Sequence, residues 1–515
     1  MKALSNQNPI KQLKTALPLA CMAIFQSAGA QGITAPSALP RITIENLTYE
    51  GGFRLPAAPF GVSEMNYSQG PLAYNPKNNS IFIVGHSQQQ AIAEFKIPEL
   101  VKSKVLKELK MAAAPIQPFV TVLNRAPEGN PEHLDKIGGL RVFESPTGTQ
   151  LVVNAYEYYD GNGDNTETSL VLRDATQLAS SKVEGFFAFS GGAGHTSGWM
   201  SPVPTVWQPL VGGKFLTGQS SGLPIINRFS VGPSAFTFEG AEFTGLQTLP
   251  VSVPTTKMLD FSLDNPLHTD LNNKTKTNNL WNHLSRVVYG MIVPGTSTYL
   301  TLGFSGGHVS GVCYKCTQND GYLCGGYCAP DANDYYQMYW LWDMNDLLKV
   351  KAGTLKPYEV RPYAYGQWST PFNLDHEIGG GAFDEKNGIL YLTIQKGDNA
   401  QGEFTNPPVV IAYKFTTTVG IRNGRNTGST KGYDLRVDEA ARMGKVAMEL
   451  SVDRTQAVQV SLLDLQGREL ESLHRGTVAA GKTLSLESHT RKSSDAVYLL
   501  RVTGEDFSST RKLLF

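Results

Sequence analysis

Long apolar runs are missing after the first thirty residues, so no later stretch approaches the length of a membrane-spanning helix. Excess basic charge is missing too. Lys and Arg number 45 and Asp and Glu 45, and only 17% of residues are charged. No basic footprint is left for nucleic acid. Helical periodicity is scarce. Cysteine is scarce: four of five fall in GVCYKCTQNDGYLCGGYCAP (311–330), as Cys313, Cys316, Cys324 and Cys328. Any covalent cross-link among these four is therefore local to that stretch.

Glycine is plentiful, at 51 residues, with 29 prolines. With so little helical period, this composition argues an all-β chain. The N-terminus carries Lys2, Lys11 and Lys14, then the apolar run TALPLACMAIF (15–25), then Ala28-Gly29-Ala30. That order predicts a secretory signal over 1–30, cleaved to leave Gln31 first. Cys21 would leave with it. Losing three lysines turns 45 against 45 into 42 against 45, a net charge near −3.

An exported chain meets an oxidising compartment, where four cysteines favour two disulfides. Zinc is the alternative, since Cys-x2-Cys and Cys-x3-Cys are plausible ligand pairs. The seven residues between them are tighter than a usual ribbon. The segment is too rich in Gly, Tyr, Asn and Asp to pack a core, so it reads as a stapled insertion.

The middle repeats itself. Ala73-Tyr74-Asn75-Pro76-Lys77-Asn78-Asn79-Ser80-Ile81-Phe82-Ile83 matches Ala382-Phe383-Asp384-Glu385-Lys386-Asn387-Gly388-Ile389-Leu390-Tyr391-Leu392. Both read strand, turn, strand, and both lead to a further strand. Segments 137–159, 203–222 and 286–307 follow the plan less closely. Some units run into a short helical turn: FKIPEL (95–100), VLRDATQL (171–178) and LWDMNDL (341–347), with Asp174 and Asp343 as N-caps of the last two. Such units bury their faces only by stacking, which predicts a β-propeller of about five blades over 31–418. The best-matching units are the first and last, which a ring makes neighbours. YYQMYWLWD (335–343), apolar on both faces, reads as a strand inside a blade. A polar linker follows (419–433), then alternating strands over 434–515 that predict a small C-terminal β-sandwich.

Within that last unit, Val458-x-Val460-x-Leu462-x-Asp464-x-x-Gly467-Arg468-x-Leu470, Val497-Tyr498-Leu499-x-Arg501-Val502 and Arg511-Lys512-Leu513-Leu514 resemble the C-terminal sorting domain of the type IX secretion system. Ala496 stands where that family usually has Gly. The resemblance implies an export signal read by outer-membrane secretion machinery, and a secreted or cell-surface destination.

Candidate chemistry is thin. GQSSG (218–222) and GFSGG (303–307) fit Gly-x-Ser-x-Gly, but no helix period follows either, so a blade turn is the better reading. Asp160, Asn162 and Asp164 are spaced like half a calcium loop, without its glycine or its final glutamate. Three Gly-initiated sites, at 85–87, 218–220 and 303–305, follow equivalent strands. They point His86 and Gln219 to one mouth of the ring, with His308 beside them. His195, His376 and Glu377 join the candidate ligand-binding set. Asp160, Asp375, Glu377 and Asp384 are the carboxylates a polysaccharide hydrolase or lyase would draw on. No equivalent pair stands out, so the reading is a binding protein for a glycan, peptide or surface protein, without a cofactor.

Overall fold

The computed structural model describes residues 36–146, 148–220, 230–244, 249–416, 433–438, 447–464, 469–488, 497–505 and 508–514. The predicted signal, its cleavage point and nearly all of the predicted linker lie outside the described residues.

Five sheets, antiparallel apart from short parallel edge strands in the second and fifth, follow one another along the chain. The first joins Leu72–Asn75, Ser80–Val84, Ala91–Lys96 and Gln117–Thr121. The second joins Lys136–Ser145, Gly148–Tyr156, Ser169–Leu172 and Val183–Phe189, with Ser252–Val253 on its edge. The third joins Met200–Pro202, Phe215–Thr217, Ala235–Phe238 and Thr256–Leu259. The fourth joins Arg286–Ile292, Thr298–Gly306, Tyr335–Asp343 and Ala364–Trp368. The fifth joins Ile378–Asp384, Ile389–Ile394 and Val409–Phe415, and its fourth strand is the early segment Leu47–Arg54.

The first strand of each sheet neighbours the first strands of the sheets before and after it, and the fifth returns to the first. The fold is a β-propeller. Its apolar cores lie between sheets. Phe82, Val84 and Ile92 of the first pack on Val142, Leu151 and Val153 of the second. Phe143 and Phe187 of the second meet Met200 and Phe238 of the third. Ile81 and Phe95 of the first meet Phe53 and Val410 of the fifth. A sheet that is apolar on both faces cannot stand alone, so stacking in a ring is how these strands leave water. The aromatic strand 335–343 follows the rule, with Trp340 and Trp342 fully buried.

The two best-matching repeats are ring neighbours. Asn75 and Asp384 do the same job in their hairpins: each side chain accepts the amide two residues on, from Lys77 at 3.1 Å and Lys386 at 3.0 Å. The rings of Tyr74 and Tyr391 stack 5.7 Å apart across the joint. Of the three expected helical turns, only the last becomes a helix, Met344–Lys351, capped by Asp343. FKIPEL leaves its strand at Lys96 without one, because Pro98 removes a donor. Asp174 caps a plain turn, accepting Thr176 N at 2.9 Å.

The first strands meet almost backbone to backbone. A Cβ on Gly138 would sit 2.2 Å from the Ser197 carbonyl oxygen, and one on Gly139 2.0 Å from that of Gly198. The pairing slips at this point, between Ile137 and Gly139, and it slips again between Ile378 and Gly380 and between Val287 and Tyr289. These bulges re-aim the strand ends at the axis. The close approach narrows the axis below its mouth.

The C-terminal residues form two sheets. One holds Tyr433–Asp438, Ala447–Val452 and Thr483–Glu487; the other holds Glu469–Val478, Gln456–Leu463, Val497–Thr503 and Ser508–Leu514. Met448, Leu450, Val458, Val460, Leu500 and Val502 make one shared core. Of the residues that carry the family resemblance, Gly467 and Arg468 lie outside the described set. No helix among the described residues is long and apolar enough to cross a membrane.

Candidate functional site

In an antiparallel sheet the start of the first strand and the end of the second lie at one end. Those positions converge on a small cavity of about 30 Å³ that opens to solvent. Gln69, Ile137, Trp199, Arg286 and Gly379 come from the starts of first strands or just before them. Tyr156, Gln219 and Gln395 come from the ends of second strands or just after them. All five sheets therefore contribute through equivalent positions, the third through Trp199 and Gln219. The lining holds three glutamine amides, one phenol and one guanidinium, and no carboxylate.

Arg286 Nη2 donates to Tyr156 Oη at 2.9 Å. Burial works against its charge, and Tyr156, then Glu377 and Tyr158, outweigh that and keep the guanidinium charged. Among the described residues no carboxylate lies within ion-pair distance of it. Glu377 borders the mouth beside Ile378. Burial pushes its carboxyl above the ordinary range against the pull of Lys396 and Arg286, and Asp375 adds to the push. Lys396 is paired with Asp375 at 2.5 Å. Gln219 is 5% exposed, and its Oε1 accepts the Ser220 amide at 3.2 Å. Its side-chain nitrogen has no partner among the described residues.

Two of the six sequence candidates, Gln219 and Glu377, thus line or border one mouth. The other four are placed elsewhere. His86 sits at the equivalent strand end but turns to Tyr67, ring centroids 5.5 Å apart, and its Nδ1 accepts the Gln88 amide. His195 pairs through Nδ1 with Asp260 at 2.5 Å, and Lys257 holds the second carboxylate oxygen at 2.7 Å. His376 faces Asn373 at 3.3 Å, with φ at 59°. His308 is 7% exposed and packed on Tyr336, and it does not line the cavity.

His308 Nε2 lies 2.8 Å from Ser305 Oγ, which suggests a nucleophile and its base. The pair cannot act as one. Ser305 is 1% exposed and also bonded to Ser285. Asp334 spends its carboxylate on the amides of His308, Val309 and Ser310, not on the imidazole. Ser220, from the other Gly-x-Ser-x-Gly copy, is equally buried. Asp160 accepts the amides of Gly163 and Asp164 in its own turn. Among the described residues, the one close set of potential metal ligands is Cys313, Cys316 and Cys328, without Asp160, Asn162 or Asp164.

The cysteines lie in the insertion between the second and third strands of the fourth sheet, residues 307–334, at the end that carries the mouth. They form two disulfides, Cys313–Cys316 and Cys324–Cys328. Each closes a short loop, so each supplies about 2 kcal/mol in the chain-entropy model. A two-residue ladder pairs Cys313 with Cys328 and Tyr314 with Tyr327. Tyr327 packs on His283, centroids 4.3 Å apart, while Tyr314 and Tyr322 are exposed.

Sequence reading missed Arg286, Tyr156, Trp199, Gln69 and Gln395. The available signal was register: each stands at or beside a strand end equivalent to one already singled out.

Searched against family models and curated proteins, the chain matches none. Among solved structures it is similar to GH43B from the Bacteroides ovatus xyloglucan PUL, at 8% identity over 90% of this chain and 92% of that one, TM-score 0.32. It is similar to a Bacillus subtilis glycoside hydrolase family 43 arabinoxylan arabinofuranohydrolase solved with cellotetraose, at 9% identity over 89% and 94%, TM-score 0.32. A glycoside hydrolase family 32 structure from Bifidobacterium adolescentis matches at 10% identity over 88% and 78%, TM-score 0.31. Likeness at this level carries no activity or ligand over to this chain.

Proposed function

We propose that this chain is an exported β-propeller, five-bladed if each sheet is counted as one blade, that binds an extracellular glycan at its mouth. The lining carries the reading. Glutamine amides both donate and accept, as a sugar hydroxyl does. The rings of Tyr67 and Tyr158 are 50% and 46% exposed and stand two residues along the chain from Gln69 and Tyr156. Amphipathic rings of this kind suit the faces of sugars. A retaining glycosidase needs two carboxyl groups about 5–5.5 Å apart across the scissile bond. The lining offers none.

One observation favours a second reading, an extracellular polysaccharide hydrolase or lyase. Glu377 holds its proton above the ordinary range beside Asp375, as a general acid beside a second carboxylate would. Incubation with a polysaccharide panel separates the two. Saturable binding without new reducing ends or unsaturated products supports binding. Turnover that disappears in Glu377→Gln replaces it with catalysis.

Export is the other half of the proposal. The N-terminal order of charge, apolar run and Ala-Gly-Ala supports a signal over 1–30. The sorting-domain resemblance, in two sheets that share a core of their own, supports a C-terminal sandwich read by outer-membrane secretion machinery. Deleting 434–515 is expected to trap a folded propeller in the periplasm of the native host. Surface display of the truncated chain, or exported protein that still begins at Met1, overturns this half.

A further inference from the structure

The residues lining the mouth include no carboxylate, and Glu377, at its border, acts on Arg286 without forming an ion pair with it. Arg286 sits in the wall of the mouth, half-buried and hydrogen-bonded to the Tyr156 hydroxyl. Lys396, which acts on Glu377 at the same border, is already matched by Asp375. The Gln219 side-chain nitrogen is a second donor without a partner among the described residues. A neutral sugar seated here would strip water from the guanidinium and return no charge, which is costly for a buried ion.

We propose that the glycan bound at this mouth carries carboxylates, a uronic-acid chain, with Arg286 taking a carboxylate and the Gln219 amide beside it as a second donor. The inference rests on the glycan-binding reading above and names the chemical class of its ligand. A guanidinium matches a carboxylate with two parallel N–H···O bonds, which an ammonium or a hydroxyl cannot copy. The phenol of Tyr156 holds the fork from one side and leaves its other N–H groups for the ligand. A peptide C-terminus offers the same carboxylate. It does not offer the run of hydroxyls that Gln69 and Gln395 suit, nor a use for the exposed faces of Tyr67 and Tyr158.

The test uses the full mature chain and fragments of polygalacturonate, alginate and glucuronan, each beside its own methyl ester, in isothermal titration at low and moderate salt. Esterification keeps the sugar and removes only the charge. At least one acid form is expected to bind at least about tenfold tighter than its ester, with the gap closing as salt rises. Arg286→Gln is expected to bring the acid form down to the level of the ester, so that the acid-to-ester gap closes. Arg286→Lys, which keeps the charge and loses the fork, falls between. Equal binding of acid and ester overturns the charge selectivity and leaves the glycan reading standing. Binding of neither form, or binding only of a short peptide with a free C-terminal carboxylate, overturns both. If Arg286→Gln does not fold, the acid-to-ester comparison on the unmutated protein decides alone.

Discussion

Arg54 grips Asp398 with two hydrogen bonds, Nε to Oδ2 at 2.7 Å and Nη2 to Oδ1 at 3.0 Å. The carboxylate side chain is fully buried. The pair joins the end of the early strand Leu47–Arg54 to the turn leading into Val409–Phe415, the strand it pairs with. It fastens the seam of the ring. Removing one partner of a buried pair strands the other charge. Arg54→Ala is expected to cost about 3–5 kcal/mol, the lower end because Gln401 and the Ala400 amide also donate to Asp398. Urea unfolding measures it. Arg54→Met with Asp398→Leu should recover much of the loss.

Close backbone contact at the axis makes a second contrast. Gly139→Ala would drive its Cβ into the Gly198 carbonyl, which has no flexible end to move aside. A loss of about 1–3 kcal/mol is expected. Gly325, with nothing near its missing Cβ, should accept Ala within about 0.5 kcal/mol. Equal losses at both sites would sink this account of the axis.

Glu377 gives a pH dependence. Its carboxyl is raised in the fold, so the folded protein holds this proton more tightly than the unfolded chain. Its contribution to stability is fully present below the unfolded value near 4.5 and is lost as pH rises through the raised folded value. Glu377→Gln is expected to raise the melting temperature at neutral pH and to flatten that part of the profile. Thermal melts across pH 4–8 decide it.

The base of the cystine loop responds to acid in the opposite sense. Burial lowers His283 to about 4 and also lowers His308, the second against the pull of Asp334. Bases lowered in the fold lose protons there first. Their stabilisation is present above about 6.5 and is lost as pH falls toward 4. Hydrogen exchange in 308–334 is expected to rise on acidification before that of the sheets. His283→Phe, which keeps a ring against Tyr327, should blunt the His283 part of the change.

The cysteines are expected to show no free thiol in the unreduced protein, with peptide mapping giving Cys313–Cys316 and Cys324–Cys328. Reduction should loosen the insertion and leave the cores between sheets intact, since those cores contain no residue of 307–334. Four thiols, or zinc lost together with the order of the loop, would reopen the metal alternative.

By itself the sequence determined what local chemistry determines. Alternating strands, turn residues such as Asn75 and Asp384, and matched first and last units spelled an all-β ring, because period and turn propensity act over a few residues. The insertion and its cysteines were legible for the same reason, and so were the buried faces of Trp340 and Trp342. The mouth was legible only in part: Gln219 and Glu377 stood out in loops at strand ends, and Arg286 and Tyr156 did not. Arg286, Tyr156, Gln219 and Glu377 lie on four strands or loops far apart in the chain, and no spacing links them. They meet only because bulges at Ile137, Val287 and Ile378 re-aim strand ends and because Gly138 and Gly139 let the strands touch. The histidines are dispersed for the same reason. Their loops reach the right end of the ring, but His195 finds Asp260 and His308 finds Ser305, and packing rather than sequence decides which side chains are left facing the axis.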